Sequence, residues 1–522
     1  MEKFVSRHAD AVIGTLCGFD RLVFRGTLRM LAHRGGMMTY LSAAGVLLKD
    51  FGAHALELSR RLREASEAVA RQSSRPIRYL ASSAVSKEEI AHAIARADGI
   101  EQGLVCILTA VEPCLSYEIV RQREAKLLEL EPRWRKCLHL YHYQVHPVLG
   151  FMQARIQTWF PFSIQVCLNG REWLARAMDA AGIGYVQREN CFVRLEDPAG
   201  AQRLMDRQLQ AAWPALLDGI ARQLNPAHAA MFQTFPVAYY WSTYQSEWAS
   251  DILFRDQATL ARLYPRLLHH GLTTFLSPDV MRFLGRNIPP SGRLPARLQA
   301  DVVSDMKTRP EGVRIKHRLG ANAIKMYDKQ GSVLRVETTI NDAGQFKAFR
   351  APEGKPEAPK SWQRMRKGIA DLHRRTEVSQ AANDRYLEAL AAVADTTSLG
   401  ELAGRLCRPA MRNGRRFRPL NPYAPADARL LETISRGEFA LNGFRNRDLR
   451  RLLFADDTAS KHQQRRHAAA VSRRLALLRA HRLIRKVPGT HRYHLSRHGR
   501  TIVTALLTAR NASTDVLTKL AA

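Results

Sequence analysis

The chain has 522 residues, 46% of them hydrophobic and 25% charged, which excludes a largely disordered polymer. Its 80 lysines and arginines outnumber 48 acids and leave a formal charge of +32; such a surplus favours a polyanion, because cations displace the counterions condensed on a phosphate backbone. Seven scattered cysteines form no C-x-x-C pair, the start Met1-Glu2-Lys3-Phe4 has no signal-type apolar segment, and no apolar run nears the roughly 18 residues of a membrane span. The expectation is a cytoplasmic protein with reduced thiols and no zinc site.

Residues 1–350 read as an α+β body with a mainly antiparallel sheet core and flanking helices, divisible near 225. A helix is expected over 53–72, a short strand at Arg78-Tyr79-Leu80, and a helix opened by the capping-box pattern Ser86-Lys87-Glu88-Glu89. Strands follow at 103–111, 137–143 and 164–168, where β-branched and aromatic residues gather. Helices at 171–181 and 201–224 flank a strand near 190–195. After the aromatic stretch from Tyr239 to Trp248 come helices to about Gly285, then a hairpin over 313–340. Residues 351–360 form an exposed connector within a helical region, 351–407, whose helices lie at 362–376 and 380–406. A proline-broken stretch, 408–425, with Arg412, Arg415, Arg416 and Arg418 reads as a flexible basic linker.

The pattern from 426 to 512 is that of a C-terminal winged helix-turn-helix domain: helices at 426–436, 446–453 and 460–479, two short strands around Pro488-Gly489, and a closing helix at 499–509. Its third helix carries Lys461, Arg465, Arg466, Arg473 and Arg474, and its wing carries Arg485, Lys486, His491 and Arg492. Arginines on such a helix reach base edges while their neighbours grip phosphate, so DNA is the expected partner. A winged helix used for protein contacts, with a merely solvated basic face, is the alternative. Winged helices often pair to read two half-sites, which leaves a homodimer open.

In the central hairpin, strand alternation puts Ile324, Met326, Leu334 and Val336 on one face and Lys325, Tyr327, Arg335 and Glu337 on the other. A cation–carboxylate–phenol cluster of this kind grips phosphate, positions a metal, or pairs across strands. Glu247 and Asp251 sit four apart, and Asp305 precedes the hairpin; with Glu337 they are candidates for a site holding Mg²⁺ or Mn²⁺ for phosphodiester cleavage, with surface ion pairing as the alternative. Glu112 is placed at a strand end, and His139, His142 and His146 are read as structural. Tyr141, Tyr143, Trp159, Phe160, Tyr239, Tyr240, Trp241 and Tyr244 interleave with Arg155, Arg171 and Arg176, a pattern that suits base stacking or a core.

Three resemblances add expectations. Leu483-Ile484-Arg485-Lys486 followed by Pro488-Gly489-Thr490-His491-Arg492-Tyr493 resembles bacterial winged-helix regulators. Over nearly its full length, through Gly18-Phe19-Asp20-Arg21-Leu22-Val23-Phe24-Arg25-Gly26, Trp159-Phe160-Pro161-Phe162 and Asn169-Gly170-Arg171-Glu172-Trp173, the chain resembles a multi-copy bacterial family, some of whose members are labelled MarR-like regulators. That resemblance implies a family and not a reaction. The hairpin, Lys325-Met326-Tyr327-Asp328-Lys329 with Leu334-Arg335-Val336-Glu337, is similar to that of rolling-circle plasmid replication initiators, which implies a tyrosine attacking DNA beside an acid-held divalent ion. The chain departs from that pattern in the preceding strand, Val313-Arg314-Ile315-Lys316-His317, which has no tyrosine, and it has no His-x-His pair. The combined expectation is a DNA-binding protein, regulatory or associated with a mobile element. A metal-dependent DNA-processing enzyme (initiator, nuclease or recombinase) and an RNA- or ribonucleoprotein-binding factor are the alternatives.

Overall fold

A computed structural model describes residues 1–82, 84–122, 127–286, 301–310, 312–352, 354–391, 399–436, 439, 443–454 and 460–511. The chain is α+β and forms two compact units: Met1–Arg266 with Ser304–Ala389, and Leu267–Val303 with Leu390–Ala522. Among the described residues no helix is long and apolar enough to cross a membrane.

The first unit is built on one large sheet. Its strands are β1 (Val12–Leu28), β2 (Ile77–Tyr79), β3 (Gly103–Gln122), β4 (Leu127–His146), β5 (Gly150–Gln157) and β6 (Ile164–Asn169). After a separate hairpin, β7 (Tyr185–Arg188) with β8 (Cys191–Leu195), come β9 (Tyr239–Phe254), β10 (Val302–Arg309), β11 (Gly312–Leu319), β12 (Asn322–Lys329) and β13 (Val333–Ile340). The spatial order is β10-β11-β12-β13-β9-β1-β6-β5-β4-β3-β2. Long β-rich segments joined by short turns make antiparallel neighbours the natural pairing; β2 runs parallel to β3.

Five helices of this unit matter below: α1 (Phe51–Gln72), α2 (Lys87–Ala97), α3 (Gly170–Ala181), α4 (Pro198–Arg207) and α5 (Trp213–Leu224). Leu58 and Leu62 of α1 and Leu217 and Ile220 of α5 join Phe24, Leu140 and Trp248 of the sheet in the main core. The opposite face is covered in patches. Leu174 and Met178 of α3, Phe192 of β8 and Met205 of α4 pack with Leu16, Leu253 and Val333, while Ala91 of α2 packs with Tyr141 and Tyr143. The Ser86 hydroxyl accepts from the Glu89 amide at 3.4 Å, so the expected cap opens α2.

Several expectations need correcting. The single helix expected over 201–224 is two, α4 and α5, because Pro214 has no amide to continue a helix and instead suits the first turn of a new one. The hairpin expected at 313–340 is a three-stranded meander, β11 to β13. Ser361–Arg364, expected to be helical from Trp362 on, pairs as a strand with Lys347–Arg350, and the following helix, α6, runs from Leu372 to Leu390. Glu112 lies within β3 rather than at its end, bridged by Lys87 at 3.0 Å and Arg155 at 3.2 Å. Ala410–Arg412 and Arg415–Phe417 pair as a short hairpin, and Arg418 holds Asp427 through two hydrogen bonds of 2.6 and 2.8 Å.

The second unit contains α7 (Pro425–Ile434), β14 (Phe444–Arg445), α8 (Asn446–Leu453), α9 (Lys461–Ala480), β15 (Ile484–Lys486), β16 (Arg492–Leu495) and α10 (Arg497–Asn511). Leu431, Leu449, Val471, Leu475, Leu478, Ile484 and Val503 make its core. The three strands pair antiparallel in the order β14-β16-β15. Ser460 and Gln463 close a reciprocal capping box at the start of α9, and Arg482 ends it in the left-handed region at φ 57°.

Candidate functional site

Two groups of charged residues stand out, one in each unit. The first lies on the sheet face that also carries α3 and the β7–β8 hairpin. Strand register sets it: Lys325 of β12 is opposite Glu337 of β13, Tyr327 opposite Arg335, and Arg335 opposite Asp251 of β9, with Glu247 opposite Thr339. The alternation expected from sequence therefore holds.

Arg335 is the centre of the lower half. It is fully buried and donates to both Asp251 oxygens at 2.6 and 2.9 Å, to Asp20 Oδ1 at 3.1 Å, and to the Asn190 carbonyl at 2.8 Å. Arg171, also fully buried, brings an Nη2 within 3.0 Å of Asp251, although none of its guanidinium nitrogens has hydrogen-bond geometry to a described partner. Arg171 reaches this position because α3 starts at Gly170, where any Cβ would collide with the Phe19 carbonyl. Burial works against the charge on Asp251, but Arg335 and Arg171 outweigh it and hold the carboxyl below its usual pKa. At Asp20 burial wins over Arg335 and the pKa rises. An ion bound on this many sides has no face left for a phosphate. Arg335, expected among nucleic-acid contacts, is a structural ion of the body.

The upper half is nearly closed. Lys325 donates to Glu337 at 2.5 Å and to Glu247 at 2.9 Å, with side-chain exposures of 10%, 3% and 14% in that order. Burial disfavours the ammonium, yet Glu337 and Glu247 more than compensate and raise its pKa. Tyr327 is buried, and burial followed by the Glu337 charge pushes its phenol pKa upward, away from a ready nucleophile. Asp305 does not join the other acids; it pairs with Arg314 at 2.6 Å.

The acids that do converge are Asp20, Glu247 and Glu337, whose oxygens lie within 4.8 Å of one another. Asp20 entered this group unforeseen: its contact with Arg335 spans 315 residues of chain, and no local spacing announces it. Three carboxylates suit a hard divalent ion such as Mg²⁺ or Mn²⁺. Here, however, the Lys325 ammonium already bridges Glu247 and Glu337, and Arg335 with Asn190 occupies Asp20. A metal must displace or join that ammonium.

The second group lies on α9 and the β15–β16 hairpin. Lys461, Arg465, Arg466 and Arg473 are exposed on the helix, and Arg485, Lys486 and His491 on the hairpin. Among the described residues no acid lies within ion-pair distance of Lys461, Arg465, Arg466, Arg473, Arg485 or Lys486. Arg474 differs: it is half-buried with its guanidinium 5.1 Å from the centre of the Phe454 ring. Arg492 is half-buried and pairs in register with Arg445.

The interleaved aromatics divide. Tyr141, Tyr143, Phe160 and Trp241 are core, whereas Tyr240 and Tyr244 are exposed, with Arg29 stacked 3.3 Å from the Tyr240 ring centre. His139 and His142 are buried, and burial pushes each pKa down to about 4.

No family model, curated protein or solved structure matches this chain.

Proposed function

We propose that this protein is a cytoplasmic DNA-binding protein, regulatory or associated with a mobile element, whose second unit is a winged helix-turn-helix. On this reading α8 and α9 are the helix-turn-helix pair, α9 enters the major groove, and the β15–β16 hairpin is the wing. One observation carries it: α9 and the hairpin hold exposed cations that no described acid neutralises. The helix pairing supports it, since Asn446 of α8 donates to the Ala468 carbonyl and the Ser472 hydroxyl of α9, both at 2.9 Å. Backbone phosphates supply affinity at such a surface, and base edges supply choice of sequence.

Fluorescence anisotropy of a labelled duplex with the full chain tests the reading. About six cations on phosphates give a log–log salt slope of about −5, and affinity indifferent to salt contradicts it. Tighter binding of an RNA hairpin of equal length assigns the surface to RNA instead.

A second reading, metal-dependent DNA processing, is favoured by the convergence of Asp20, Glu247 and Glu337. It expects nicking of supercoiled DNA that requires Mg²⁺ or Mn²⁺ and disappears in Glu337→Gln; intact DNA with either metal sinks it.

A further inference from the structure

Strands β3 and β4 run past the rest of the sheet as a two-stranded ribbon, because β5 pairs with β4 only from His139 onward. Where the sheet narrows to that ribbon, register sets Cys114 opposite Arg135 and Cys137 opposite Glu112, which puts the two cysteines diagonally on one face. Their sulfurs lie 2.9 Å apart, although 23 positions separate them in the chain. Small side-chain rotations close a disulfide from such a starting point. Both are free thiols, Cys114 buried and Cys137 half-buried.

The surroundings favour a thiolate and an anionic visitor. The Cys137 thiol donates to Cys114, and with Arg135 and Arg155 this holds the Cys114 thiol below its ordinary pKa against the effect of burial. Cys137 in turn keeps its proton, because the contact with Cys114 pushes its pKa up. Arg63, Arg135 and Lys136 line a depression of about 250 Å³ together with Cys137, and among the described residues no aspartate or glutamate lines it. Glu112, the acid opposite Cys137, is occupied by Lys87 at 3.0 Å and Arg155 at 3.2 Å. A cluster of cations of this kind raises the local concentration of anions.

We infer that Cys114 and Cys137 are a redox pair that exchanges with an anionic small-molecule disulfide, such as one formed by a short peptide with free carboxylates. The thiolate of the pair attacks one sulfur of that disulfide, whose S–S bond breaks, and one half leaves as a thiol after taking up a proton. The second cysteine, once deprotonated, attacks the protein sulfur of the mixed disulfide, and the other half leaves with the second proton. Two electrons pass from the cysteine pair to the small disulfide, which is reduced to two thiols. The product is a staple between β3 and β4 at the foot of the ribbon. The inference rests on the first unit alone and is independent of the DNA-binding reading. An S–H···S contact that does not become a bond is the competing explanation.

Incubating the full chain with oxidised glutathione, quenching with acid and mapping peptides without reductant decides between them. The inference expects two peptides joined through Cys114 and Cys137 that dithiothreitol separates. At low salt the joining should run about tenfold or more faster than with cystamine, a cationic disulfide, each rate taken relative to that of mercaptoethanol. Lys136→Glu, a change at an exposed position, should narrow that ratio. Free thiols at both positions in the wild-type chain, or separate glutathione adducts with no joined pair, overturn the inference, and neither reading needs a variant. Equal relative rates for the two disulfides, or a ratio unmoved by Lys136→Glu, overturn the assignment of an anionic partner.

Discussion

The sheet face of the first unit and the α9 surface of the second are both rich in arginine and lysine, yet their cations live in opposite circumstances. Arg335, Arg171 and Lys325 are buried, each within ion-pair reach of a carboxylate. Lys461, Arg465, Arg466 and Arg473 point into solvent with no described acid in reach. Charge alone therefore says little about a residue's task. Enclosure and pairing separate a cation that holds the fold from one available to a partner.

The largest expected effect falls on the buried side. Arg335→Met leaves Asp20 without its counter-ion and Asp251 with Arg171 alone, and breaking a buried pair in this way costs about 3–5 kcal/mol. Urea unfolding should show that loss in the first unit; a variant as stable as the wild type would mean that the cluster is wetter than its burial implies. Lys325→Met leaves Glu247 and Glu337 facing each other and should cost less, about 1–3 kcal/mol, because Glu247 keeps some access to water. Melting with Mg²⁺ or Mn²⁺ sharpens the point. If Asp20, Glu247 and Glu337 accept a divalent ion once the ammonium is gone, the metal restores part of this loss. No restoration would mean that the three acids are an ion-pair partner only.

Acid probes the first unit by another route. Burial pushes the pKa of His139, His142 and His317 from the ordinary 6.5 down to about 4. Between those values the unfolded chain binds protons at these rings that the folded chain does not. Stability is thus complete above pH 6.5 and falls as pH drops toward 4. Near pH 5 unfolding should take up about three protons at these histidines, read from the slope of unfolding free energy against pH. A flat profile across the window would contradict their burial.

Much of this arrangement was legible in the sequence, and the limits are instructive. The alternation of Lys325, Tyr327, Arg335 and Glu337 depends only on the period of a strand, so their common face was readable. What encloses that face was not. Asn190 and Arg171 arrive from turns and helices far along the chain, and no nearby residue signals them. Asp305 looked equivalent to Glu337 because sequence distance was the only guide; register gave it to Arg314 instead. Local signals that act through the backbone did better: the Ser86 cap lies where its spacing predicts. Tertiary pairing overrode local preference at Trp362, which joins a strand rather than a helix.

The smallest effect on stability is expected where the effect on function is largest. Arg465 and Arg466 are exposed on α9, so reversing their charge disturbs no packing and should move the melting temperature little. The most direct test of the account measures duplex affinity and melting temperature together for Arg465→Glu/Arg466→Glu. The prediction is an affinity loss of about tenfold or more and a salt slope shallower by about two, with an unchanged melting temperature. Undiminished duplex binding in a folded variant would contradict the assignment of α9 as the DNA-contacting element.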